Sequence, residues 1–163
     1  MQFIKINSEE EIKTLEKLAS EIWNEYWPFI LSKSQIDYML NKFQSNEAIK
    51  TQIEQEKYTY NIIKDKENVI GYFGISTKSN YLFLSKLYIK KDFRGFGYGK
   101  LAFEEIKQIA LENNKKAIHL TVNKNNLRTI NTYKKWGFKT IDSVVTNIGN
   151  NFVMDDYIME FRL

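Results

Sequence analysis

The sequence contains no cysteine, one proline and one histidine in 163 residues. Without cysteine there can be no disulfide, no thiol nucleophile and no sulfur-ligated zinc, and this composition fits a reducing compartment such as the cytoplasm. With His119 as the only histidine, a Ser-His-Asp triad would need that residue as its base. His119 lies in AIHLTV, a predicted strand, where a single histidine is more often a packed or edge residue than a catalyst.

Long apolar runs are also missing. No segment approaches the ~18 continuous apolar residues of a membrane span. The N-terminal residues MQFIKINSEEEIK lack the apolar run and the cleavage site of a signal peptide. We therefore expect no membrane partner and a cytoplasmic location. Because 43% of the residues are hydrophobic and 15% aromatic, the chain is able to bury a core, and we expect one domain over residues 1–163.

Charge of one sign is only slightly in excess. The formal net charge is +4, and lysines and glutamates are interspersed rather than grouped in blocks. Such a distribution is typical of a solvated surface and does not indicate a nucleic-acid partner. A local anionic ligand, such as a phosphate-bearing cofactor, would account for the excess as well. We expect no metal site.

The first part of the chain has helical periodicity. Ser8 with Glu11 forms a capping box that opens the first helix, and Pro28 is expected to end or bend it. Ser34 with Asp37 predicts the start of a second helix, and NEAIKTQIEQE predicts a third.

From Tyr58 onward the hydrophobic period changes to two. YTYNIIK, VIGYFGIS and YLFLSKLYI are predicted strands joined by short polar turns, which favours an antiparallel meander. A helix, the strand KAIHLTV, a helix ended by Gly137 and two long strands joined by a turn at IGNN complete the chain. The order βαα(α)βββαβαββ predicts a mixed α/β domain with a central sheet.

Three of the seven glycines, Gly95, Gly97 and Gly99, alternate in RGFGYGK between a strand and a helix. A glycine-rich turn at a helix start binds phosphate, because its amides point outward and glycine leaves the backbone accessible. Arg94 and Lys100 add positive charge at this position. Neither G-x-x-x-x-G-K-[ST] nor G-x-G-x-x-G is present, and a turn without any ligand is the alternative.

The pattern R-x-x-G-x-G, met by Arg94, Gly97 and Gly99, resembles the acyl-CoA loop of the GNAT superfamily of N-acetyltransferases. A second part of the resemblance lies downstream in NNLRTINTYKKWGF, at Asn126, Tyr133, Gly137 and Phe138. The strand order also fits this family over nearly the whole chain. The resemblance implies a GNAT-like α/β fold with a mixed, mostly antiparallel sheet flanked by helices.

The resemblance also implies how acetyl-CoA is bound. Pantetheine would lie along the strand before the loop and take main-chain hydrogen bonds from Leu87, Tyr88 and Ile89. The pyrophosphate would be held by consecutive amides, those of Arg94, Gly95, Phe96, Gly97, Tyr98, Gly99 and Lys100. Asn126 would hydrogen-bond the pantetheine arm, and Tyr133 would be the general acid that protonates the departing thiolate.

The implied reaction is direct attack of an amine on the thioester, which needs neither cysteine nor histidine. An aliphatic amine is mostly protonated near neutral pH, so a base must accept its proton. Many relatives carry a glutamate on the strand before the loop, whereas this chain has Ser85 and Lys86 there, which leaves the base unassigned. Asp155 and Asp156 are candidates, because strand alternation directs one of them inward. The alternative is that both are solvated acids.

An aromatic cluster near the end of the first helix, Trp23, Tyr26, Trp27 and Phe29, is the candidate acceptor site. Early helices commonly wall the acceptor pocket in this family, and ring faces beside Glu21 and Glu25 would suit a cationic amine. Tyr26, Trp27 and Asp156 are the predicted substrate residues. The alternative is that the cluster is ordinary core, since Trp23 and Trp27 share one helical face.

The expected function is transfer of an acetyl group from acetyl-CoA to a primary amine. A polyamine or other small cationic amine is one acceptor class, because the tail FVMDDYIMEFRL resembles that of bacterial spermidine/spermine acetyltransferases. A non-catalytic acyl-CoA sensor and a protein N-terminal or lysine acetyltransferase are the alternatives. Long final strands often pair across dimers in such folds, so a homodimer is also expected.

Overall fold

A computed structural model describes residues 1–163. Its helices and strands, in chain order, are β1 (Gln2–Lys5), α1 (Glu9–Tyr26), α2 (Lys33–Gln44), α3 (Asn46–Gln55), β2 (Tyr58–Asp65), β3 (Asn68–Thr77), β4 (Tyr81–Ile89), α4 (Tyr98–Glu112), β5 (Ala117–Asn123), α5 (Leu127–Trp136), β6 (Lys139–Gly149) and β7 (Phe152–Arg162). The strands form a seven-stranded sheet in the order β1-β2-β3-β4-β5-β7-β6. The predicted element order and the α/β fold class are confirmed. No helix is both long and apolar enough to cross a membrane.

The sheet is mixed and mostly antiparallel. β1 pairs with β2, β2 with β3, β5 with β7 and β6 with β7, all antiparallel. β4 and β5 pair in parallel, and their register runs only from Tyr81↔Ala117 to Phe83↔His119. The pairing of β4 with β5 therefore involves the first part of β4, whereas the end of this strand leads into the glycine loop.

Local signals in the sequence set the helix ends. The Ser8 hydroxyl accepts a hydrogen bond from the Glu11 amide, and the Glu11 carboxylate accepts one from the Ser8 amide, so the predicted capping box is formed. α1 ends at Tyr26, just before a 3₁₀ turn that contains Pro28. The second helix begins earlier than expected: Ser32, rather than Ser34, is its N-cap, because the extended Ser32 accepts from the Gln35 amide.

The residues group into two compact units. Unit 1 comprises Met1–Ser76 and Lys86–Ala102, and unit 2 comprises Thr77–Ser85 and Phe103–Leu163. β4 and α4 each contribute residues to both units. The single domain expected over residues 1–163 stays a prediction.

Each unit has an aromatic core. In unit 1, Tyr72 is fully buried; its hydroxyl accepts from Trp23 Nε1 at 2.9 Å and donates to Gln44 Oε1 at 2.9 Å. Buried tyrosine hydroxyls need such partners, because an unpaired polar group in the core costs free energy. In unit 2, the buried Phe103 ring packs on Trp136, Phe138 and Phe161, each with a centroid distance of 5.2 Å.

The single histidine has a contact set typical of a packed residue. The His119 ring stacks on Tyr81 at 4.1 Å, and its Nε2 lies 3.0 Å from Glu160 Oε2. Glu160 also pairs with Arg162 at 2.8 Å. Within unit 2, His119 therefore belongs to a network of side chains on β4, β5 and β7.

Candidate active site

The glycine loop of unit 1 connects β4 to α4. After Ile89 the chain makes a short 3₁₀ turn at Lys91–Phe93, passes through the glycines and enters α4 at Tyr98. Gly95 and Gly97 have φ values of +87° and +86°, in the left-handed region that side chains disfavour. A Cβ at either position would meet nothing within 4 Å. The backbone conformation, and not crowding within the protein, is what requires glycine here.

The amides of this loop divide into two groups. The Arg94 amide donates to Lys91 O at 3.1 Å, and the Lys100 and Leu101 amides donate to Gly97 O at 3.0 and 3.1 Å. The intervening amides, from Gly95 to Gly99, donate to no backbone carbonyl in the turn or in the first turn of α4. Unpaired N–H groups together with the positive end of a helix dipole form a site for an anion such as a diphosphate.

The Arg94 guanidinium is held by neighbouring groups of unit 1. Its Nη1 and Nη2 donate to the Glu25 carboxylate at 3.2 and 2.7 Å, and its Nε donates to Ile89 O at 2.7 Å. The guanidinium carbon lies 5.1 Å from the centroid of the Tyr26 ring. This arrangement connects the end of α1 to the first residue of the loop.

A second ion pair lies beside it: Lys90 Nζ is 3.0 Å from Glu21. Glu21 and Glu25 were expected to suit a cationic amine, but both carboxylates pair with cations of the chain itself. One feature of the sequence indicates that such a carboxylate pairs with a cation of the chain. An acidic group in the last turn of a helix opposes its dipole, so Glu25, in the last turn of α1, favours a compensating positive charge nearby.

The end of β4, where Leu87, Tyr88 and Ile89 are predicted to bind pantetheine, lies close to β3. A Cβ on Gly71 would be only 2.2 Å from Tyr88 O, and the Lys90 amide donates to Ile70 O at 2.8 Å. Gly71 is thus required by the close approach of two strands. It fixes the position of the backbone at the end of β4.

The aromatic cluster of α1 contains both core and candidate site residues. Trp23 is core, since its indole N–H is bonded to Tyr72. Trp27 is only 6% exposed, yet its Nε1 is buried without a hydrogen-bond acceptor. Tyr26 is half-buried and lies 5.4 Å from Trp27 and 6.3 Å from Tyr88, measured between ring centroids. A buried donor without an acceptor costs free energy.

In unit 2, the downstream motif forms the start and end of α5. Asn126 is buried as its N-cap, with Oδ1 accepting from the Thr129 amide at 3.4 Å. Gly137 ends the helix with φ +103°, as predicted from the sequence. Tyr133 is buried near the helix end, and its ring packs on Trp136 at 5.5 Å and Phe138 at 5.3 Å.

The two acids of β7 have different environments. Asp155 is exposed and pairs with Lys124 at 2.5 Å. Asp156 is 9% exposed, and its Oδ1 has no hydrogen-bond partner. Burial, reinforced by the charge of Asp155, raises the pKa of Asp156 to about 6, against the opposing effect of Lys124. Near neutral pH this carboxylate is mostly ionised and able to accept a proton. Strand alternation predicted that one of the two acids would be buried.

Lys86 lies on β4, where many relatives carry a glutamate, and the pKa of its amine is perturbed. Its Nζ lies 5.2 Å from the Tyr58 ring centroid and 5.6 Å from that of Tyr60. Burial lowers the pKa of Lys86 to about 8, while Glu56 acts in the opposite direction. No carboxylate base therefore stands at this position. No group of three or more histidine, cysteine, aspartate or glutamate side chains is arranged to hold a metal ion.

A sequence profile of the acetyltransferase (GNAT) family matches residues 14–138, a range that includes the glycine loop, Asn126 and Tyr133. The chain belongs to the GNAT acetyltransferase family. As a GNAT N-acetyltransferase, it uses acetyl-CoA as its acyl donor. The family prediction made from the sequence is therefore confirmed.

Solved GNAT structures share the fold of this acetyltransferase. PaiA N-acetyltransferase from Thermoplasma acidophilum, in complex with coenzyme A, is 23% identical to this chain and has a TM-score of 0.81. The alignment covers 100% of both chains. A GCN5-related N-acetyltransferase from Rhodopseudomonas palustris is 12% identical with a TM-score of 0.81, over 99% of this chain and 95% of that one. A spermidine N-acetyltransferase chimera from Vibrio cholerae and hSSAT is 15% identical with a TM-score of 0.70, over 99% of this chain and 96% of that one. The spermidine enzyme is one of several similar structures.

Proposed function

We propose that this GNAT acetyltransferase transfers the acetyl group of acetyl-CoA to a primary amine by direct attack in a ternary complex. The observation that carries the proposal is the run of unpaired amides from Gly95 to Gly99 at the start of α4. The positive φ values of Gly95 and Gly97 and the position of the loop at the start of a helix suit a diphosphate. The thioester supplies the activated acyl group.

The residues of this chain have distinct proposed roles in binding the donor. The loop from Arg94 to Lys100 binds the pyrophosphate, and the main chain of Leu87, Tyr88 and Ile89 binds the pantetheine arm. Asn126 adds a side-chain hydrogen bond to that arm. Since the Arg94 guanidinium is bonded to Glu25, the attraction of the loop for phosphate comes mostly from the backbone amides.

Two residues of unit 2 carry the proposed proton transfers. The amine nitrogen attacks the thioester carbonyl carbon and forms the C–N bond as the C–S bond breaks. The amine proton passes to Asp156, directly or through water. The Asp156 carboxylate has a pKa of about 6 and is therefore mostly ionised near neutral pH. The Tyr133 hydroxyl gives a proton to the departing thiolate. Retention of this tyrosine argues against a purely sensing, non-catalytic acyl-CoA module.

In unit 1, the residues proposed for the acceptor amine are Tyr26 and Trp27. Ring faces attract an ammonium group before it is deprotonated, which suits a polyamine or another small cationic amine. The likeness of the tail to spermidine/spermine acetyltransferases supports this acceptor class. Glu21 and Glu25 do not add to this support, because their carboxylates are paired with Lys90 and Arg94. Acetylation of a protein N-terminus or lysine is the alternative.

Two further proposals concern the whole protein. The absence of cysteine supports a cytoplasmic location. A homodimer is proposed through the two final strands, because β6 is the edge strand of the sheet and its Ile141 and Val145 side chains are exposed.

Calorimetry with coenzyme A tests the central proposal. The parent protein is expected to bind, and Gly97→Val is expected to weaken binding at least about tenfold, since a β-branched residue is strained at positive φ. Gly149→Val is the matched control, because Gly149 also has a positive φ, +95°, but lies in the β6–β7 hairpin. Absence of binding by the parent, or equal binding by Gly97→Val, would refute the proposal. Thiol release with a panel of amines then identifies the acceptor.

A further inference from the structure

Glu25 lies in the last turn of α1, where the helix dipole disfavours a carboxylate, and Glu21 lies one turn earlier. Both meet cations that lie between β4 and the glycine loop, Lys90 and Arg94. The Arg94 pair is the better formed of the two, with bidentate contacts to Glu25.

We propose that Glu25 is a positioning residue for coenzyme A: through Arg94, it holds the first residue of the glycine loop so that the following amides are arranged for the diphosphate. This inference rests on the proposed binding of coenzyme A by the loop. It assigns to helix α1 a part in donor binding that neither loop motif nor fold implies.

The geometry of Arg94 restricts its movement. Three nitrogens donate hydrogen bonds, two to Glu25 and one to Ile89 O, and these partners fix the guanidinium plane. The Tyr26 ring lies 5.1 Å away. Side-chain exposure is 20% for Arg94 and 33% for Glu25, so solvent screens this pair less than an ordinary surface pair.

Few side-chain contacts within the loop hold its conformation. Gly95 and Gly97 carry no side chain, and glycine has more conformational freedom than any other residue. Side-chain contacts are made instead at the two ends of the loop. Arg94 is bonded to Glu25 and Ile89, and the Tyr98 hydroxyl donates to Asp65 Oδ2 at 2.8 Å. Restricting the free loop reduces the entropy that must be lost when the diphosphate binds, and this strengthens binding.

The opposite possibility makes a distinguishable prediction. If Arg94 were chiefly a direct ligand of phosphate, Glu25 would compete with the phosphate for the guanidinium. Removing the charge of Glu25 would then release Arg94 and tighten coenzyme A binding. Positioning predicts the reverse, a weaker complex.

The test is calorimetry of coenzyme A with Glu25→Gln, in low and in moderate salt. We expect the dissociation constant to rise about five- to tenfold, the range typical of losing one partly buried charged hydrogen-bond pair. The matched control is Glu21→Gln, which removes the more exposed pair with Lys90 and is expected to change the dissociation constant less than twofold. Glu25→Asp keeps the charge with a shorter side chain and should give an intermediate value.

A double-mutant cycle separates positioning from general destabilisation. Glu25→Gln combined with Arg94→Gln should bind coenzyme A no more weakly than Arg94→Gln alone, because Glu25 acts only through Arg94. In kinetics, KM for acetyl-CoA should rise more than kcat falls. A purely structural role would lower the melting temperature and leave the dissociation constant unchanged.

The outcomes distinguish this inference from the function on which it rests. If the parent protein does not bind coenzyme A, both are refuted. If the parent binds and Glu25→Gln binds equally or more tightly, the positioning role alone is refuted. Should Glu25→Gln not fold, Glu25→Asp decides, because an unchanged dissociation constant in that variant also overturns the proposal.

Discussion

At the residue scale, the Tyr133 hydroxyl is the group proposed to protonate the thiolate. Tyr133→Phe removes only this oxygen, and the ring contacts with Trp136 and Phe138 are retained. We expect kcat to fall about 100-fold or more, the usual size of a general-acid contribution. Coenzyme A affinity from calorimetry should stay within about twofold of the parent. Turnover equal to that of the parent would show that another group protonates the thiolate.

Asp156 gives the reaction a predicted pH dependence. A base must be deprotonated to act, and burial raises the pKa of Asp156 to about 6. With the parent enzyme, kcat/KM should therefore rise as the pH increases through about 6. In Asp156→Asn, this rise should be absent and the rate should be low throughout. An unchanged pH profile in Asp156→Asn would assign the base elsewhere.

Asp156 also makes the stability of the folded protein depend on pH: activity is expected to rise with pH, whereas the stability contributed by Asp156 falls. Because the folded-state pKa of Asp156 is raised from 3.8 to about 6, the folded protein binds a proton that the unfolded chain has released. The stabilising contribution of the protonated form is complete below pH 3.8 and is lost as the pH rises through about 6. Asp156→Asn should therefore gain stability relative to the parent between pH 4 and 7, by about 1–3 kcal/mol in urea denaturation. If the difference in unfolding free energy between Asp156→Asn and the parent did not change with pH, a raised pKa of Asp156 would be excluded.

At the element scale, the close approach of β3 to β4 at Gly71 is the most sensitive feature of unit 1. Gly71→Ala would place a Cβ 2.2 Å from Tyr88 O, so the backbone of β4 must move. We expect a loss of about 1–3 kcal/mol in stability together with weaker coenzyme A binding. Gly74→Ala is the control, since its Cβ would meet the Tyr60 side chain, 2.6 Å away, rather than β4. Its coenzyme A affinity, measured by calorimetry, should match that of the parent.

Elements that depend on local signals were predictable from the sequence. The capping box of Ser8 and Glu11 and the left-handed Gly137 each act within a few residues, so the short sequence pattern contains the whole interaction. The α2 start was misplaced by two residues because Ser32 and Ser34 have the same capping chemistry, and only the backbone conformation distinguishes them.

Features that depend on distant residues were not predictable in the same way. The Glu25–Arg94 pair joins residues 69 positions apart, and nothing in either segment specifies the other. The choice between Asp155 and Asp156 needed the sheet, because strand alternation indicates only that one of them is buried. The orphaned N–H of Trp27 likewise follows from three-dimensional packing.

At the scale of the whole molecule, we predict that units 1 and 2 unfold together. β4 and α4 run through both units, so neither unit has a complete set of elements of its own. Trp23 and Trp27 belong to unit 1 and Trp136 to unit 2, which allows each unit to be followed by fluorescence. Trp136→Phe and a Trp23→Phe/Trp27→Phe double variant should each melt in one transition that coincides with the loss of helical circular dichroism measured on the same variant. Different midpoints for the two probes in either variant would argue for separate domains.

The exposed ring of Phe96 offers a practical opportunity. It lies between Gly95 and Gly97 at the tip of the loop and is 75% exposed. Because the chain has no native thiol, a cysteine introduced at this position would be the only one available to a labelling reagent. A dye attached there would turn the loop into an optical sensor, and arrival of the nucleotide could be timed in a stopped-flow instrument.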